Sequence, residues 1–529
     1  MFDLVIRNTS LIDGTGAPAR PADVGVADGR ISAIGEIPAG VDARREIDAG
    51  GRSLAPGFID IHTHSDLSLV ADGTGESKLL QGVTTEVVGN CSFAAFPIEP
   101  SRIDLHADHL ARATTPIVPW WTDLDGYAAA LEEAGLAINV APLAGHGTLR
   151  VAAMGVDQRP ATPEELARME RDLLTALDQG AFGMSTGLTH VPSSYGPYDE
   201  VAALARVLAA RGALYATHAR SSGGDSPGGL EESIVLGRET GVTVEHSHMA
   251  INHPDQWGTA DQQMQLMERA REEGVDIVCD VYPYHASSSS LTQYLPPWVQ
   301  AGGTEALRTK LADPTERARA ISDMHEGWFG GIPWLFDRFL VSDAPDGHGV
   351  GSTLAQLAEE TGSDPYELTL RLCETYGNLL HVVLFYRTEE DMSVFLAHPL
   401  SVVGSDGNAI PMHQPEAKPH PRSFGTFPRV LGRYVREKKV LGLEDAIRKM
   451  SGEPARRLGL TDRGTIRQGA VADLVLFDPA TIIDNAEFAQ AAGAPTGIDM
   501  VMVGGQAVAE HGSINAVRPG RVLRRESRP

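Results

Sequence analysis

The chain has 529 residues, 42% of them hydrophobic and 22% charged, with a formal net charge of −26. That is too much apolar sequence for a disordered chain and too acidic a surface for nucleic acid or anionic lipid, which repel polyanions. Three cysteines (Cys91, Cys279, Cys373) make no disulfide framework, and a reducing compartment suits them best. No basic leader precedes an apolar run and no stretch nears 18 uninterrupted apolar residues, so a cytoplasmic, soluble protein without membrane partners is expected.

Residues 1–55 read as short strands with turns. Val24-Gly25-Val26 and Ile31-Ser32-Ala33-Ile34 flank Asp28-Gly29, a hairpin signal. From Ala55 the rhythm changes. Short apolar runs at 57–61, 85–89, 138–140, 214–217, 242–244 and 277–280 alternate with longer helical patterns. Thr162-Pro163-Glu164-Glu165 combines an N-cap, a first-turn proline and a capping-box glutamate, and Leu166, Met169, Leu173, Leu174 and Leu177 continue at helical spacing. Sustained strand–helix alternation predicts a parallel sheet, here a (β/α)8 TIM-type barrel over residues 56–460. A serine run (287–290), Pro296-Pro297-Trp298 and the aromatic stretch from Trp328 to Phe339 break the rhythm at about 285–350. Two readings stay open for it: a lid over the barrel mouth, or an ordinary long excursion. Residues 461–529 return to short strands, as in Leu474-Val475-Leu476-Phe477 and Val501-Met502-Val503. Both chain ends are expected to form one small β-sandwich, α/β overall being the fold class.

Chemistry gathers at the ends of the apolar runs. His62 and His64 stand at i and i+2, which on a strand places both imidazoles on one face. At the rim of a barrel they make half of a metal site. His218 closes a later strand, His246 and His248 another, and Asp406 a further one, while Cys91 follows Thr85–Gly89. Strand ends distant in sequence meet in space in a barrel, so these residues are candidate ligands together.

Ala55-Pro56-Gly57-Phe58-Ile59-Asp60-Ile61-His62-Thr63-His64, Gly82-Val83-Thr84-Thr85-Glu86-Val87-Val88-Gly89-Asn90-Cys91, Gly183-Met184-Ser185-Thr186-Gly187-Leu188, Asp280-Val281-Tyr282-Pro283-Tyr284, Pro421-Arg422-Ser423-Phe424-Gly425-Thr426-Phe427-Pro428-Arg429 and Ala472-Asp473-Leu474 run nearly end to end. With them the chain resembles the amidohydrolase superfamily and, within it, the N-acyl-D-amino-acid deacylases (D-aminoacylases). The resemblance implies a tight zinc on Cys91, His218 and His248, and a second, weaker position bordered by His62, His64 and Asp406 with Cys91 bridging. The choice of His248 over His246 follows the family's Ser-His pair, here Ser247-His248. It also implies hydrolysis of a linear amide of a small N-acyl-D-amino acid by metal-activated water, with Asp406 as general base and then acid. Arg422 matches the family's carboxylate-binding arginine, and Tyr282 and Ser288 match other substrate contacts.

The chain departs from the family where substrate is held. Ala250 replaces a lysine, Ser221-Ser222 follow Arg220 in place of Asp-Glu, and His190 stands where a tyrosine is usual. A bulkier or cyclic amide is the alternative substrate. A cyclic-amide hydrolase, though, needs a carboxylated strand-end lysine, which the sequence lacks. A non-enzymatic scaffold fits a full ligand set less well. The sequence leaves a homo-oligomer open.

Overall fold

The computed structural model describes residues 1–113, 115–220, 226–413 and 417–526. Ser221 and Ser222 therefore lie outside the described residues. No helix among those described is long and apolar enough to cross a membrane.

Eight parallel strands form the centre. Phe58–Asp60, Val83–Val88 and Asn139–Pro142 pair side by side. The third strand continues through Ala144–Gly145 and pairs with Gly183–Gly187. The path then runs through Leu214–His218, Thr243–His246, Ile277–Val281 and Ser401–Val403, always parallel. It returns to its start: Thr63 bridges Gly407 in parallel register, and Asp406 N donates to His62 O at 2.8 Å. Helices fill the connections. Pro163–Asp178 starts with Thr162 and Glu165 in a reciprocal capping box and buries Met169, Leu173, Ala176 and Leu177, as its sequence predicts. The α/β class with parallel strands is thus what the chain adopts. The strand Gly183–Gly187 was invisible to an apolar-run reading, because Gly, Ser and Thr dominate it.

Both chain ends meet in one sheet of nine strands, in the order Ser513–Ile514, Gln506–Glu510, Ile498–Val503, Leu474–Phe477, Ser53–Pro56, Phe2–Leu11, Arg20–Ala27, Arg30–Gly35, with Ala43–Asp48 beside Phe2–Leu11. The expected hairpin forms around Asp28-Gly29. The sheet has its own apolar core, including Leu4, Ile6, Val24, Leu54, Leu474 and Met502. One part of the C-terminal segment leaves it: Val522 bridges Val140, and Leu523 joins the core beneath the parallel strands.

The interruption after the seventh strand is longer than 285–350. Ser287–Ser290, Phe339–Asp343 and His381–Leu384 form a separate antiparallel sheet whose middle strand is His381–Leu384. A second apolar core spanning Leu291 to Tyr386 packs between this sheet and its helices. The serine run is therefore a strand, and the unit reaches well past residue 350.

Candidate metal centre

His62 and His64 leave the first strand, Cys91 follows the second, His218 ends the fifth, His248 follows the sixth and Asp406 follows the eighth. Their donor atoms converge in two groups that share one sulfur. His62, His64, Cys91 and Asp406 form the first, and Cys91, His218 and His248 the second, with all donors within each group inside 4.8 Å of one another. Cys91 Sγ lies 3.3 Å from His62 Nε2, 3.4 Å from His248 Nε2 and 3.9 Å from His218 Nδ1. Asp406 Oδ1 lies 2.9 Å from His64 Nε2 and 3.5 Å from His62 Nε2.

The backbone is bent to achieve this. Cys91, Ser92, His248 and Asp406 all have left-handed φ, at 51°, 74°, 37° and 53°. Each such residue costs on the order of 1–3 kcal/mol unless its surroundings impose it, and such outliers cluster at functional sites. Glycine makes room next door. A Cβ at Gly187 would collide with the Cys91 carbonyl and the His190 ring, and one at Gly404 would lie 2.7 Å from His62 Cβ.

Outer partners fix the rings. His62 Nδ1 donates to Asp280 Oδ2 at 3.0 Å, which turns Nε2 toward Cys91. Asp280 Oδ1 accepts from His248 N at 2.8 Å, so one carboxylate positions two candidate ligands. His218 Nε2 contacts Thr189 Oγ1 at 2.7 Å, leaving Nδ1 facing the sulfur. His246 points elsewhere, to Ser233 Oγ at 3.2 Å. Burial drives its pKa down to about 3, with the charges of His248 and His218 acting in the same direction. Burial alone would raise the Cys91 thiol, but the charges of His62 and His248 and hydrogen bonds from His218 and His248 outweigh it and hold it well below the ordinary thiol range. Asp406 behaves likewise: burial opposes ionisation, while the Arg422 charge and the His64 hydrogen bond keep it ionised. A thiolate, imidazoles and a carboxylate, oriented from behind by hydrogen bonds, suit a borderline-soft divalent cation.

This centre forms one wall of a cavity of about 670 Å³, which Tyr282, Ser288, His190, Ala250 and Arg422 also line. Arg422 is not a free clamp. Its Nη1 donates to Asp406 Oδ2 at 2.6 Å and its Nη2 to Ser288 O at 3.2 Å, so Ser288 engages it through the backbone. Its guanidinium lies 5.1 Å from the Tyr282 ring centre, and that of Arg387 lies 4.8 Å from it. His190 packs against His218 (ring centres 4.4 Å apart) and Phe93 (4.9 Å). Sequence reading missed Asp280, Thr189 and Arg387 as functional positions. Asp280 lay inside a quoted motif, but nothing local revealed a partner 218 residues away.

Parallel strands carrying N, S and O donors at one set of ends define an α/β protein with a candidate metal centre at its strand ends. The chain belongs to the amidohydrolase family, whose model matches residues 45–294 and 392–509 and skips most of the inserted unit. It is 39% identical to N-acyl-D-glutamate deacylase of Alcaligenes xylosoxydans xylosoxydans, over 99% of this chain and 97% of that protein. It is 36% identical to D-aminoacylase of the same organism, over 99% and 98%. Among solved structures, N-acyl-D-glutamate deacylase from Bordetella bronchiseptica, complexed with zinc and a phosphonate mimic of the reaction's tetrahedral intermediate, superposes with a TM-score of 0.82 at 36% identity, covering 99% of each chain.

Proposed function

We propose that this protein is a zinc-dependent deacylase that hydrolyses an N-acyl-D-amino acid to the free D-amino acid and a carboxylate. We also infer that its eight parallel strands close as a (β/α)8 barrel beside a small β-sandwich built from residues 1–55 and 461–529. The observation that carries the functional reading is the pair of donor groups sharing Cys91 at the cavity wall. Cys91, His218 and His248 hold the tight zinc, and His62, His64 and Asp406 border a weaker position. A zinc bound there supplies Lewis acidity and lowers the pKa of water towards about 7.

The side chains do the rest. Asp406 is held ionised by Arg422, with Oδ1 turned toward the histidines and Oδ2 occupied by the guanidinium. Oδ1 takes the proton of the attacking water and returns it to the amide nitrogen, which leaves only once protonated. Asp280 keeps the His62 and His248 donors aimed throughout. The substrate α-carboxylate lies between Arg387 and Arg422 beside Tyr282. Arg387 donates Nε to Asn252 Oδ1 at 3.2 Å, and among the described residues no carboxylate lies within ion-pair distance of it. It supplies the positive charge that Ala250 lacks.

The test is hydrolysis of paired N-acetyl-D- and N-acetyl-L-amino acids by zinc-loaded protein, with metal content measured on the same sample. Release of D-amino acids, lost on chelation and restored by zinc, is expected. Zinc-loaded protein that cleaves neither series would sink the reading.

A further inference from the structure

Arg112 follows the helix Ile103–Leu110 and lines the same cavity. It is 6% exposed. Its Nη1 donates to Gln300 Oε1 at 3.0 Å, and Gln300 is itself fixed by its amide on Gln293 O and Leu295 O. Its Nε has no hydrogen-bond partner among the described residues. Among the described residues no carboxylate stands within ion-pair distance of it. The carboxylate whose charge bears on it, Asp108, spends both oxygens on Thr304 and Asn378. Asp72 and Asp343 line the cavity too but make no ion pair with it.

Burying a guanidinium without a counter-anion is costly, and burial accordingly pulls the pKa of Arg112 below the ordinary arginine value, against the Asp108 charge. Other buried arginines of this chain are paired: Arg150 with Glu200, Arg422 with Asp406, Arg463 with Asp473. An unpaired one at a cavity wall is a site prepared for an anion. Its position is informative. Arg112 follows the second parallel strand, whereas Tyr282, Arg387 and Arg422 come from the segments after the seventh and eighth. Arg112 therefore lines the cavity from a segment that carries neither Arg387 nor Arg422.

Resting on the deacylase reading, we propose that Arg112 binds a second carboxylate of the substrate, so that the preferred substrates are N-acyl amino acids carrying two negative charges. The second carboxylate has two sources: an acidic amino-acid side chain, or a dicarboxylic acyl group.

The experiment compares kcat/KM of zinc-loaded protein for N-acetyl-D-glutamate against N-acetyl-D-glutamine, and for N-succinyl-D-leucine against N-acetyl-D-leucine. At least one charged substrate is expected to exceed its neutral partner by about 100-fold, mostly in KM, as a charge-assisted hydrogen bond in a buried site allows. The pair that responds identifies the source. In R112M that ratio should fall to about one, and R112K should recover part of it. The charged substrate of the responding pair should raise the thermal midpoint of metal-free wild type more than that of metal-free R112M, a readout independent of turnover. Wild-type ratios near one for both pairs would overturn the inference while leaving the deacylase reading intact. Failure to cleave any of the four would remove both.

Discussion

At the scale of single residues, the centre depends on two kinds of group that fail differently. Cys91 is common to both donor sets, so Cys91→Ala should abolish retention of zinc through gel filtration, as read by elemental analysis. Asp406 borders only the first set. Asp406→Asn should still retain zinc if, as proposed, Cys91, His218 and His248 hold it, yet lose about 10²–10⁴-fold in kcat, the usual worth of positioned acid–base catalysis. Normal turnover in that variant would remove Asp406 from the proton path. Asp280 touches no proposed reacting atom but fixes His62 and the His248 backbone. Asp280→Asn should weaken zinc binding by about 10–100-fold, measured by competition with a chromophoric chelator. The convergence of these donors was legible beforehand, because period 2 makes His62 and His64 share a strand face and because the candidate donors recur at strand ends. The Asp280 bonds and the unpaired Arg112 were not legible. Both are relations between segments far apart in sequence, and no local pattern encodes such a relation.

At the scale of elements, the clearest dependence is the tie between the helices His146–Met154 and Tyr198–Arg211. Glu200 accepts from His146 Nε2 at 2.9 Å and from Arg150 Nη1, all three side chains being buried. Burial pushes the Glu200 pKa up, but hydrogen bonds and charge from His146 and Arg150 outweigh it and leave it at about 2, below the ordinary value of 4.5. A carboxyl depressed in the folded state stabilises it above the unfolded pKa, and this contribution fades as pH falls from about 4.5 towards about 2. Glu200→Gln should cost about 3–5 kcal/mol at neutral pH, because it strands the Arg150 charge. The gap between wild type and variant in urea unfolding should shrink on acidification from pH 5 to pH 3. A gap independent of pH would mean that packing, not charge, holds the two helices. The sequence forecast helices such as Pro163–Asp178 well because capping and periodicity are local signals. It passed over the strands Gly183–Gly187 and Ser287–Ser290, whose small polar residues become strand only through their neighbours.

At the scale of the whole molecule, the cavity is bounded by two separately packed bodies. The metal centre belongs to the parallel strands and their core. The opposite wall draws Ser288, Tyr294 and Trp328 from the inserted unit, which has its own core and antiparallel sheet. Side-chain hydrogen bonds join them around the site, among them Arg422 to the Ser288 carbonyl, Arg112 to Gln300, Arg387 to Asn252, and Asp108 to Thr304 and Asn378. A unit with its own core opens as its own cooperative block, so amide exchange should report two free energies of opening. Amides of Phe339–Asp343 and His381–Leu384 should exchange together, and faster than those of Thr243–His246 and Ile277–Val281. A ligand touching both walls stabilises the weaker body by mass action. Saturating N-acetyl-D-glutamate added to metal-free protein should therefore slow exchange in the inserted unit more than in the parallel strands. Uniform exchange across both bodies, unchanged by ligand, would show that they unfold as one and that the cavity is a rigid cleft.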